Sequence, residues 1–146
     1  MKDLLAEVVE TALAIANLED LSPARVAGLL HCDLQLSEED EYQSTYEFVG
    51  LPGVPFESGH VVWLKELQKG MAELKVARHL RLAMKPIADK IGRGVAPVPV
   101  AGNPRKPEPS MGFAWRVPVG EITLVFPDIE KDFHLRSVGF TQLPRV

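Results

Sequence analysis

The chain has 146 residues, of which 46% are apolar and 25% charged. That is the size and composition of one globular domain, able to bury a core without metal or disulfide staples. The single cysteine, Cys32, excludes a disulfide framework and fits a reducing compartment. The net charge of −4 lacks the basic excess of a nucleic-acid-binding protein, but it is uneven: residues 1–50 hold 11 acids and 2 bases, residues 51–146 hold 9 acids and 14 bases.

Asp3 is placed to cap a first helix reaching about Asn17, with Leu5, Val8, Val9, Ala12, Leu13, Ile15 and Ala16 at helical spacing. Ser22-Pro23 starts a second, short helix: serine suits the cap and proline the first turn. Val26, Leu29 and Leu30 would be its buried face. Ser37 to Glu41 is too charged for core and reads as a loop. Tyr42, Ser44, Tyr46 and Phe48 then alternate with polar residues, the period of a strand. Residues 51–59 hold two prolines and two glycines, which is turn material, and His60 to Leu67 resumes as a strand. The two strands are expected to form an antiparallel hairpin with a long connection.

Residues 69–91 predict a long helix, with Met71, Leu74, Ala77, Leu80, Met84, Ile87 and Ile91 as one stripe. Lys75, Arg78, Arg81, Lys85 and Lys90 would load its other face, Pro86 would kink it, and Gly92 would stop it. Residues 95–110 hold five prolines and read as a linker or loop. Three further strands follow, around Phe113–Val117, Ile122–Phe126 and Leu135–Gln142. The expected fold is α+β in one domain, residues 1–146, ordered α-α-β-β-α-β-β-β. A mainly antiparallel sheet of 4–5 strands would carry helices on one face.

The start of the chain, interrupted by Asp3, Glu7 and Glu10, does not read as a signal peptide, and no apolar run reaches the ~20 residues of a membrane span. A cytoplasmic location is expected.

No motif points to catalysis or to a cofactor. A Walker loop, a dinucleotide fingerprint and a Gly-x-Ser-x-Gly elbow are all missing. Ser58-Gly-His60 pairs a serine with a histidine but offers no third group. His31-Cys32-Asp33 is too tightly spaced for zinc, and the thiol is better read as a small buried side chain. His79 falls among basic residues. His134 stands near Asp132, a carboxylate neighbour of the kind that tunes a histidine. Glu121, Asp128, Glu130 and Asp132 match no calcium loop. Trp63, with Val61 at i−2, and Trp115, with Phe113 and Val117 at i±2, read as core anchors.

Binding is expected instead. Glu38, Glu39, Asp40 and Glu41 form an acidic run beside Tyr42 and near Tyr46. Carboxylates steer a basic partner, and tyrosines offer rigid contact area. The proline-rich segment is a second surface that is cheap to immobilise.

The order of elements resembles small bacterial immunity proteins of interbacterial toxin systems, in particular those paired with type VI secretion effectors. The resemblance is carried by a helical start ending in Ala27-Gly-Leu-Leu30 and a Tyr-rich strand from Tyr42 to Val49. It continues in Val61-Val-Trp-Leu-Lys65, Ile87-Ala-Asp-Lys-Ile-Gly92, Gly120-Glu-Ile-Thr-Leu-Val-Phe126 and Val138-Gly-Phe140. It implies a cytoplasmic inhibitor that docks on a cognate toxin and blocks its active site, without catalysis or direct nucleic-acid binding. An acidic surface would suit a nuclease toxin with a basic cleft. A chaperone or adaptor for a secreted effector, and a small ligand-binding or enzymatic domain, are the alternative expectations.

Overall fold

The computed structural model describes residues 3–77, 79–92, 98–100, 111–126 and 134–143. Two helices lead, α1 (Leu4–Ala16) and α2 (Pro23–Leu30). Four strands follow: β1 (Asp33–Glu39), β2 (Gln43–Val49), β3 (Phe56–Leu64) and β4 (Lys69–Val76). A third helix, α3 (Met84–Gly92), leads to β5 (Val98–Val100), β6 (Met111–Val117), β7 (Gly120–Phe126) and β8 (Ser137–Gln142). The strands form a single antiparallel sheet in the order β1-β2-β3-β4-β8-β7-β6-β5. Two four-stranded meanders thus lie side by side, joined at a β4–β8 seam where Leu74 pairs with Val138 and Ala72 with Phe140.

The expectation of 4–5 strands and a long central helix is therefore wrong. Residues 69–76 are strand β4, and α3 begins only at Met84. Gly70, Ala72, Leu74 and Val76 are buried, while Met71 and Lys75 are exposed and Glu73 is half-buried. That is a period of two, and it wins because both flanks of β4 are filled by ladders to β3 and β8. The basic stripe dissolves accordingly. Lys75 lies on β4, Arg81 precedes α3, Lys85 and Lys90 lie in α3, and Arg78 falls outside the described residues. Pro86 sits in the first turn of α3, where a missing N–H costs nothing, rather than kinking a helix. The presumed loop at Ser37–Glu41 is largely strand: β1 runs to Glu39 and only Asp40–Tyr42 turn. Within the proline-rich stretch, Val98–Val100 pairs with β6 as β5, and residues 95–97 and 101–110 lie outside the described residues.

Asp3 caps α1, its Oδ1 accepting from the N–H groups of Leu5 (3.1 Å) and Ala6 (3.2 Å). Ser22 precedes α2 but makes no side-chain cap bond. Asp20 organises that entry instead, accepting from the Ser22 N–H (3.0 Å) and pairing with Arg25 (3.3 Å). Burial raises the Asp20 pKa, but the Ser22 hydroxyl and N–H and the Arg25 charge outweigh it and leave the group below its ordinary value.

The core lies between the helices and one face of the sheet. Val8, Ala12 and Ile15 of α1, Val26 of α2 and Ile87 of α3 pack with Val61, Leu74, Ile122, Leu124, Phe126, Val138 and Phe140. Trp115 is buried in this layer and Trp63 is half-buried on the same sheet face. None of the described helices contributes to the opposite face. No helix among the described residues is long and apolar enough to cross a membrane.

Candidate binding surface

The acidic run shapes the tip of the β1–β2 hairpin. Asp40 Oδ1 accepts from the N–H groups of Tyr42 (2.7 Å) and Gln43 (2.9 Å), and the Asp40 N–H donates to the Gln43 carbonyl (2.9 Å). An aspartate in this position bends the chain with its own side chain. The Gln43 N–H, then the Tyr42 N–H, hold its carboxyl below the ordinary range; slight desolvation opposes them and Lys65 adds to them. Lys65 Nζ donates to the Asp40 carbonyl (2.7 Å) and lies 3.8 Å from Glu39 Oε2. Glu39 also accepts from the buried Ser44 hydroxyl (2.8 Å).

The six predicted residues therefore divide. Glu39 and Asp40 build the turn. Tyr46, opposite Leu36 and Val61, is half-buried against the core and does not join Tyr42. Glu38, Glu41 and Tyr42 remain for a partner, with Tyr42 64% exposed at the tip. Glu38 pairs with Thr45 after a bulge at Leu36/Glu38, which turns its side chain toward the helix-free face. Beside this tip runs the β3–β4 turn, tied to it by the Lys65 N–H and the Tyr42 carbonyl (2.9 Å) and carrying Leu67, 63% exposed.

The helix-free face was not foreseen as a site. Strand register sets Gln35, Glu47, His60, Glu73, Gly139 and Thr123 in one row across β1, β2, β3, β4, β8 and β7. His60 thus stands between two glutamates, each at cross-strand distance of ~5 Å between Cβ atoms. Two shallow depressions meet at His60. One of about 230 Å³ lies over Gly139, with Glu73, Thr123 and Thr141 around it and Val62 and Met71 alongside. The other, of about 390 Å³, lies between Glu38, Glu47 and Lys75. The signal was present in sequence: alternation over 43–49 and 69–76 puts Glu47 and Glu73 on the face away from the core.

Elsewhere the structure supplies little chemistry. Ser58 and His60 share β3 without a hydrogen bond between them. His79 is exposed, and His134 forms an isolated bridge with Ala83. Asp128, Glu130 and Asp132 lie outside the described residues. Among the described residues no three His, Cys, Asp or Glu side chains are grouped to hold a metal ion. Cys32 is half-buried after α2; desolvation, then Asp33, push its thiol pKa up. A cleft of about 270 Å³ on the helix side is lined by Glu10, Leu29, His31, Leu51 and Val54 among others.

Comparison with protein-family models, with curated proteins and with solved structures gave no match.

Proposed function

We propose that the chain is a protein-binding inhibitor of the immunity type, which docks the acidic end of its sheet on a basic surface of a secreted toxin. The observation that carries this reading is the hairpin tip. Glu41 and Tyr42 are exposed on a turn held by Asp40, Glu38 is exposed on β1 just before it, and the neighbouring base, Lys65, is already occupied by Asp40 and Glu39. A rigid acidic tip keeps the entropic cost of docking low, and its field speeds encounter with a cationic partner. A nuclease, whose cleft must be basic to hold nucleic acid, is the toxin class that fits this charge.

The test is copurification with the product of the neighbouring gene, followed by stopped-flow association of the purified pair. Glu38→Lys with Glu41→Lys is expected to slow association about tenfold at low salt and to flatten its salt dependence. A stoichiometric complex that protects cells from that product supports the reading. A complex with unchanged rate and salt slope removes the hairpin as the docking surface.

A further inference from the structure

We propose that the trough over Gly139, on the helix-free face of the sheet, seats an arginine or lysine side chain of the protein partner. This rests on the reading of the chain as a binder of a basic protein and locates a second contact for it.

The trough exists because β8, a central strand, has no side chain at Gly139. A Cβ placed there would meet only Ala72 O and Thr123 O, both at 3.9 Å, which is ordinary contact. Steric need therefore does not explain the glycine, since its backbone is not in the left-handed region and there is room for a Cβ. A mid-strand glycine weakens a sheet, and one with space above it is where another chain can approach closely.

The walls fit a cationic side chain. Glu73 lies directly across from Gly139 on β4, and Thr123 directly across on β7. The Glu73 backbone is taken up by the ladders to β3 and β8, but its carboxylate makes no hydrogen bond or ion pair with a described residue. Val62 and Met71, the latter 43% exposed, give an apolar flank for an aliphatic stem. Among the described residues that line the two depressions, Glu38, Glu47 and Glu73 stand against the single base Lys75, so the charge beside His60 favours a cation. A carboxylate, threonine hydroxyls and an apolar flank are the surroundings that a guanidinium or ammonium on a methylene stem requires.

The probe is the capped peptide Gly-Gly-Arg-Gly-Gly, its Lys counterpart and a Glu control, titrated into labelled full-length protein by NMR. Saturable shifts are expected at Val62, Met71, Thr123 and Gly139 with the basic peptides only. Glu73→Gln should weaken binding about twofold to fivefold. Gly139→Val should weaken it at least about tenfold by filling the trough, while its melting temperature stays at or above that of the parent. Glu41→Lys should leave the peptide affinity within about twofold, because Glu41 lines neither depression of this face. Equal binding of the Glu peptide, shifts centred on the hairpin, or undiminished binding by a folded Gly139→Val would overturn the seat. Those outcomes leave the hairpin-dependent association rate unaffected, so the two proposals fail separately.

Discussion

Gln142 and Gly70 are joined across the end of the sheet: the Gln142 side-chain oxygen accepts from the Gly70 N–H at 3.0 Å and from the Leu21 N–H at 3.1 Å. One side chain thus ties β8, β4 and the α1–α2 connection together. Gly70 permits the approach, because a Cβ there would clash with Leu21 O and lie 2.7 Å from Leu21 C, both backbone atoms that cannot swing aside. Gly70→Ala is expected to cost about 1–3 kcal/mol through overpacking. Gln142→Leu is expected to cost about 1–3 kcal/mol by stranding two N–H groups at a buried junction. Urea denaturation measures both. Because the substitutions disturb the same contact, the double variant should lose less than the sum.

Asp40 makes the hairpin tip sensitive to acid. Its folded pKa lies below the ordinary carboxylate value, led by the Gln43 N–H. A depressed carboxylate stabilises the fold above the unfolded value of about 4, and that contribution is lost as pH falls through the folded value. Asp40→Asn keeps a side-chain acceptor and should largely preserve the turn, whereas Asp40→Ala should speed amide exchange at Tyr42 and Gln43. An NMR titration of the Asp40 carboxyl that returned an ordinary or raised pKa would contradict this account.

The starts of α1 and α2 and five of the strands were legible because local physics decides them. Asp3 caps where a capping residue should, and the alternations at 42–48, 61–67, 113–117, 122–126 and 135–142 correspond, within a few residues, to β2, β3, β6, β7 and β8. Residues 69–91 misled because Met71, Leu74 and Ala77 share a helical stripe while Gly70, Ala72, Leu74 and Val76 share a strand face. Leu74 serves both patterns. The choice is made by the backbone partners on β3 and β8, and β8 lies some 65 residues downstream, beyond any local window. β1 was hidden for another reason: it is an edge strand whose charged residues face water, so it carries no core signature.

The candidate site was legible in part. Charge alone found the tip, but could not separate Glu38 and Glu41 from Glu39 and Asp40, whose carboxylates are spent on the turn. The row Glu47–His60–Glu73–Gly139 assembles from four strands and requires the register, which the sequence does not print.

β1 is an edge with Leu36 half exposed, and the Ser37 bulge and Glu38 blunt it. Glu38→Val should therefore produce concentration-dependent self-association, measured by sedimentation velocity. Adding Leu36→Lys should return the sedimentation profile of the parent. Glu38→Val without any shift in sedimentation would mean that the bulge alone guards the edge.

Cys32 should be a slow nucleophile. Thiolate is the reactive species, and desolvation together with the Asp33 charge raises the thiol pKa above its ordinary value. The inflection in the pH–rate profile of alkylation by iodoacetamide should then lie above that of a free cysteine. Asp33→Asn should move it only part of the way back, since desolvation is the larger cause. The sign for stability follows from linkage. The folded state holds the proton more tightly, so this contribution is complete below the unfolded pKa and is lost as pH rises through the folded one. Cys32→Ser should accordingly flatten the alkaline limb of a melting-temperature profile between about pH 8 and pH 10; a steeper limb in that variant would place the alkaline sensitivity elsewhere.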